Sequence, residues 1–376
     1  MLKLSLLALA VALLMFPQIA ETLYSPVLTD ISEHFRVTAE QASLTLSLYF
    51  IGFAAGVLVW GRLCDTLGRR PALLLGLAVY ALSAVVALLT HHFTVLLLAR
   101  VCSAFGAAAC SVVVQTLLRD KVSGAALTRL FNIIGIALAI SPAIGVFSGG
   151  LLATLWGYQG VFSALALLAF CLLLWTGLKL EETRPTMHSH SPLLAVGSRM
   201  IQDKKILLAT LLVALWNVSL FSYYSLAPFI FATLKLSASA FGLTGLVLAG
   251  GSLLGAQINR LLLKNSDRQT LILLLAGGVN LLGGVGVWLC SASLWFLLPM
   301  LLVMVSFSMA IPVILSSALS AYGECRGTAG ALFGLGYYAL IGAGLAVSGM
   351  FQNLGATLVI CALVALVAAR AYRREL

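Results

Sequence analysis

Twelve predominantly apolar runs, each long enough to cross a bilayer and separated by short polar gaps, constrain this chain more than any other feature. Their approximate centres fall at residues 15, 51, 80, 105, 140, 168, 218, 250, 280, 306, 338 and 363. At about 20 residues per span, 376 residues hold twelve helices and short connections, with no soluble domain of useful size. Composition agrees, because 61% of the residues are apolar and 9% charged, so the solvent is mostly hydrocarbon. The expected fold class is all-α integral membrane, twelve transmembrane helices in two six-helix bundles.

The net charge of +10 sits almost entirely on one side. With gaps numbered alternately, Lys3, Arg62, Arg69, Arg70, Arg119, Lys121, Arg129, Lys179, Arg184, Arg199, Lys204, Lys205, Arg260, Lys264, Arg268, Arg326, Arg370, Arg373 and Arg374 occupy even gaps or the ends. Arg36 and Lys235 occupy odd ones, and Arg100 lies inside a span. Nineteen against two places both ends of a multi-pass membrane protein in the cytoplasm. A nucleic-acid surface would instead gather basic residues on one element. The first run passes Glu21 and reaches about Leu28, too long for a secretory signal, and so reads as the first helix.

Seven dispersed cysteines suggest neither disulfides nor a metal site. His188 and His190 read as part of a solvated linker, and His91 and His92 carry no ligand pattern, so no metal and no cofactor is expected. Among twelve acids and five histidines there is no nucleophile and base pair, phosphate loop or metal cluster, which argues against an enzyme. A channel would want rings of like charge, and two lone buried charges do not supply them.

The helices fall into two groups of six joined by the polar stretch from Lys179 to Lys205, where Pro185 and Pro192 discourage regular packing. The expected units are 1–182, a cytoplasmic linker 183–204, and 205–376. A faint echo of Gly61-x3-Asp65 in Gly255-x3-Asn259 suggests duplication. Related bundles with a midplane site between them work by rocking one half against the other.

The gap from Gly61 to Arg70 joins two spans by a sharp turn. Gly61 and Gly68 offer backbone freedom and close helix approach, while Asp65, Arg69 and Arg70 offer complementary charge at helix ends. The spacing Gly-x3-Asp-x2-Gly-Arg-Arg resembles the signature loop between the second and third helices of major facilitator superfamily transporters, with Thr66 where a basic residue is common. The resemblance implies a gate on the cytoplasmic side.

Charge within hydrocarbon costs roughly 2.5–3.5 kcal/mol per residue on insertion scales, so buried ions mark function. Only Glu21 in the first span and Arg100 in the fourth lie well inside. Apolar walls disfavour a charged carboxylate, which suits Glu21 to exchanging a proton; the plainer alternative is that it pairs with a hydroxyl or with Arg100 and holds the bundle together. Arg100 keeps its charge, and so tunes a nearby carboxylate, holds an anionic or carbonyl group, or snorkels to an interface. The string Arg100-x2-Ser103-Ala104-Phe105-Gly106-Ala107-Ala108 resembles the superfamily's fourth-helix motif, in which the arginine serves proton coupling or substrate contact.

In the fifth span, Ser141, Pro142 and Gly145 lie in a run that resembles the antiporter motif of proton-coupled drug exporters, with Ser141 replacing a glycine. An ordinary kinked helix is the alternative. Tyr24-Ser25-Pro26, Arg119-Asp120, Glu182-Thr183-Arg184-Pro185 and Gly327-Thr328-Ala329-Gly330 together resemble the Bcr/CflA group of drug:proton antiporters. Many members carry Asp where this chain has Thr22, and its acid lies one residue earlier, about 100° around the helix.

That resemblance implies multidrug efflux, in which small organic molecules, drugs or metabolites, are exported for protons by alternating access. A proton-coupled symporter or facilitator for a small metabolite is the competing reading. The expected partners are a small-molecule substrate, protons and the lipid bilayer, with the protein a monomer. A midplane cavity would be lined by aromatics and amides, with Tyr24, Tyr49, Phe50, Gln115, Asn132, Asn217, Tyr223, Tyr224, Tyr337 and Tyr338 as candidates.

Overall fold

A computed structural model describes residues 4–184, 193–262 and 269–375. The first four spans are Leu4–His34, Ala39–Leu67, Arg69–Leu89 and Phe93–Lys121. The fifth and sixth share one long helix, Gly124–Lys179, broken at Gly157, whose φ of 60° and ψ of −157° turn the chain back. Only glycine adopts that backbone without strain. The seventh to twelfth are Lys204–Thr233, Ala238–Leu262, Gln269–Cys290, Leu294–Ala318, Arg326–Phe351 and Leu354–Tyr372. Twelve passes return both described ends to one face, called here the terminal face. Leu82, Leu98, Leu253, Leu282, Leu289 and Val367 are each more than half exposed, a girdle suited to lipid.

Helix neighbours reveal the duplication that the sequence only hints at. In the first half the first span packs on the fourth and fifth, the second on the fourth, and the third on the fourth and sixth. Adding six to every number gives the second half, seventh on tenth and eleventh, eighth on tenth, ninth on tenth and twelfth. The seams between halves obey the same exchange, second with eleventh and fifth with eighth.

Local structure repeats too. Arg36 (φ 53°) and Lys235 (φ 57°) are left-handed residues just before the second and eighth spans. In each copy the chain closes the preceding helix with the same bonds, Arg36 N to Glu33 O and Val37 N to Ser32 O, against Lys235 N to Ala232 O and Leu236 N to Phe231 O. This is the two-bond closure of a Schellman-type cap.

Hydrogen bonds join the halves on the face away from the chain ends. Ser47 Oγ donates to Gly342 O at 3.0 Å, Gln352 Nε2 to Ser43 Oγ at 3.2 Å, and Ser25 Oγ to Tyr224 O. There Gly150 and Gly242 let the fifth and eighth backbones touch, since a Cβ on either would collide with the other. Nearer the terminal face, a Cβ at the exposed Gly135 or Gly250 would meet nothing within 4 Å.

The connection between halves is more regular than its prolines suggest. Leu193–Gln202 is a ten-residue helix with Val196 and Met200 buried against the seventh and eleventh spans. Apolar residues four apart suffice to dock one face. Pro185, His188, His190 and Pro192 lie outside the described residues.

Candidate functional site

The Gly61–Arg70 segment is less a loop than a hinge one residue wide. The second span runs through Leu67 and the third begins at Arg69, leaving Gly68 alone between them at φ 105°. A Cβ there would strike the Glu182 carboxylate, which fills the space. Glu182 Oε1 accepts from Arg69 N at 2.8 Å, Thr183 N at 2.8 Å and Arg184 N at 2.9 Å, and Oε2 from Arg70 N at 3.1 Å. Burial pushes the Glu182 carboxyl up, but the donors at Arg69, Thr183, Arg184 and Arg70 outweigh it and hold it below 4.5.

Arg69, only 3% exposed, knots three spans together. Its Nε donates to Asp120 Oδ2 at 2.7 Å, its Nη1 to Cys64 O at 2.9 Å, and Nη1 lies 3.2 Å from Asp65 Oδ1. Arg70 Nη2 reaches Gly177 O at 2.7 Å, and Arg184 Nη1 reaches Thr66 O at 2.6 Å. Gly61 stands at the second and eleventh seam, where a Cβ would lie 3.8 Å from Ala331 Cβ. The expected partnership of Asp65 and Arg69 is present, with Asp120 and Glu182 as further members.

Deeper in the bundle, Glu21 is 7% exposed and Arg100 1%. The Arg100 guanidinium lies 3.9 Å from the centroid of the Tyr24 ring and 4.5 Å from that of Tyr49. Aromatic faces on both contacts lower the cost of holding a cation in this interior. Glu21, Tyr24, Tyr49 and Tyr80 all stand within electrostatic reach of Arg100. Even so, Glu21 Oε1, Arg100 Nε, Arg100 Nη2 and Tyr49 Oη have no hydrogen-bond partner within 3.5 Å. Among the described residues no ion pair joins Glu21 to Arg100.

Thr22 and Glu21 face different neighbours. Thr22 points at the fifth span, where a Cβ on Gly145 would collide with its Oγ1 and one on Gly149 with Leu23 O. Those glycines let the first and fifth spans touch. Ser141 Oγ, next to Pro142, bonds back to Ala137 O at 2.8 Å. Glu21, one residue and about 100° of helix away from Thr22, stands within electrostatic reach of Arg100.

Around this polar group stands an aromatic wall drawn from both halves. Phe50 lies 4.7 Å from Phe221 and 6.2 Å from Tyr338, while Phe53 lies 4.7 Å and Tyr337 4.3 Å from Tyr338. Tyr224 lies 5.7 Å from Phe221.

The description "Major Facilitator Superfamily" matches residues 7–347. The chain belongs to the Major Facilitator Superfamily. Members of the superfamily are transporters, not enzymes. An "Uncharacterized transporter" of Rickettsia bellii (strain RML369-C) is 32% identical over 86% of this chain and 84% of its own. The "Multidrug resistance protein D" of Escherichia coli (strain K12) is 26% identical over 88% of this chain and 84% of its own. Among solved structures, a D-xylose-proton symporter superposes with a TM-score of 0.77 at 16% identity, covering 96% of both chains, a likeness of fold alone.

In this superfamily member Tyr24, Tyr49, Phe50, Tyr224, Tyr337 and Tyr338 join the central group. Tyr223 turns away, donating to Thr244 Oγ1 at 2.6 Å and packing near Phe241 and Phe296 inside the second half. Asn217 Nδ2 bonds its own helix at Val213 O, 2.8 Å away. Gln115 is half-buried on the fourth span, and the Asn132 side chain lies outside the described residues. Phe53, Tyr80 and Phe221 complete the group without having been singled out in the sequence. Phe53 and Phe221 sit three or four residues from Tyr49, Phe50 and Tyr224, the helical spacing that places residues on one face.

Proposed function

We propose that this transporter is a proton-coupled antiporter that exports small organic molecules across a bacterial-type cytoplasmic membrane by alternating access. One observation carries the reading: among the described residues Glu21 is the one buried acid, and it stands within electrostatic reach of Arg100, Tyr49, Tyr224 and Tyr338, so a change in its protonation is felt where a substrate would sit. Glu21 carries the proton, and Arg100 holds substrate or tunes the acid. The cluster around Gly61, Asp65, Gly68, Arg69 and Arg70 gates the terminal face, which the charge distribution assigns to the cytoplasm. Ser141, Pro142 and Gly145 shape the fifth span as in antiporters of the Bcr/CflA type. The moving bodies are 1–182 and 205–376 of a monomer, with 183–204 as linker. The name of the Escherichia coli relative supports drugs among the substrates.

Everted vesicles holding an acid-inside gradient test this reading. Addition of a transported drug or metabolite collapses the gradient with wild-type protein and leaves it standing with Glu21→Gln at equal expression. Gradient collapse undiminished in Glu21→Gln would remove Glu21 from coupling, and substrate uptake that carries protons the same way as substrate would make the protein a symporter.

A further inference from the structure

Glu21 and Arg100, buried in the same interior and within electrostatic reach of each other, both leave polar atoms without a hydrogen-bond partner. Arg100 Nε and Nη2 form one edge of the planar guanidinium, the edge that receives two-oxygen or carbonyl acceptors side-on. Glu21 Oε1 is an acceptor in the same interior, also without a partner. Buried polar atoms are ordinarily hydrogen-bonded, so a donor edge and an acceptor left open together call for a guest that offers both. Among the described residues, the second half buries no matching charge. Its Asn217 Nδ2 and Tyr223 hydroxyl donate within that half, and it presents Phe221, Tyr224 and Tyr338 as an aromatic wall.

We infer that the transported molecule carries an amphoteric head group, an N–H or ammonium donor beside a planar oxygen acceptor, on an aromatic or apolar body. The acceptor sits on the Arg100 edge, the donor on Glu21, and the body against the wall. A simple cation meets an arginine that keeps its charge, and a simple anion leaves Glu21 Oε1 without a donor. A group with both functions satisfies each. Proton uptake by Glu21 removes one acceptor and loosens the head group, the release step an antiporter needs. The inference rests on Glu21 and Arg100 being the polar end of the substrate site.

Three probes with one phenyl body separate the functions: phenylalanine has donor and acceptor, phenethylamine the donor, and 3-phenylpropionate the acceptor. Their binding to the purified full chain, read by tryptophan fluorescence at fixed pH, should favour phenylalanine over either analogue by about tenfold or more, the factor a hydrogen bond to a charged group is worth. Arg100→Lys, which keeps the charge and loses the edge, should erase the preference over phenethylamine. Equal or tighter binding of an analogue, binding of none of the three, or an unchanged preference in Arg100→Lys overturns the assignment. Wild-type protein alone decides the analogue comparison should the variant not fold. The readout needs no proton gradient, so selective binding without proton movement in vesicles would sink antiport and leave the head group standing, while antiport of a simple cation would do the reverse.

Discussion

The two halves share one scaffold and divide the chemistry. In the first half, Asp65, Arg69, Asp120 and Glu182 tie the terminal face together, and Glu21 and Arg100 lie in its interior. In the second, the position answering to Asp65 is the neutral Asn259, 5% exposed with Oδ1 unpaired. Its terminal face is held by Tyr322 Oη donating to Asp203 Oδ2 at 3.0 Å, the phenol pushed up to about 12 by burial and by that bond, so it does not titrate at physiological pH. A duplicated fold thus keeps its helix neighbours while, among the described residues, its buried ions lie in one copy and the other presents an aromatic wall to them.

If the charged knot does what its neutral counterpart does not, breaking it should cost most. Arg69→Met leaves Asp120 and Asp65 without their cation and should lower stability by about 3–5 kcal/mol, read as a fall in detergent melting temperature. Asn259→Ala should lose far less, and equal losses would erase the contrast between halves. The glycine seams come next. Gly145→Ala drives a methyl into Thr22 and should cost about 1–3 kcal/mol, whereas Gly250→Ala, with nothing within 4 Å, should be neutral or slightly stabilising. Smaller again is Tyr223→Phe, which removes the bond to Thr244 and should cost about 1 kcal/mol in stability without touching proton coupling. A coupling defect in that variant would show that the second half does more than wrap.

The smallest effect is in pH. Because the Glu182 carboxyl is held below 4.5 in the folded protein, its contribution is complete above that value and fades as pH falls through the lowered one. Melting temperature between pH 5 and 8 should therefore be the same for wild type and Glu182→Gln on this account, apart from a constant offset. The offset should shrink only in more acid solution.

Much of this was legible because hydrocarbon demands so much of a sequence. The twelve spans followed from the length of apolar runs, and Glu21 and Arg100 from the cost of burying charge. What the sequence concealed depends on rotation and on distant partners. Glu182 lies 113 residues from Arg69 yet caps the turn beside it, and no local pattern announces that pairing. Tyr223 and Tyr224 are adjacent, but one helical step sends the first into the second half and the second toward the centre. The ten-residue helix at Leu193–Gln202 was hidden by flanking prolines and polar residues, although Val196 and Met200 already had helical spacing.

The most direct test of Glu21 as the proton carrier is substrate-linked proton release in weakly buffered detergent. Using a compound identified in the vesicle panel, purified wild-type protein should release protons on binding in a pH-dependent way, and Glu21→Gln should bind the compound and release none. Proton release of equal size from Glu21→Gln would contradict the account and place the coupling group elsewhere.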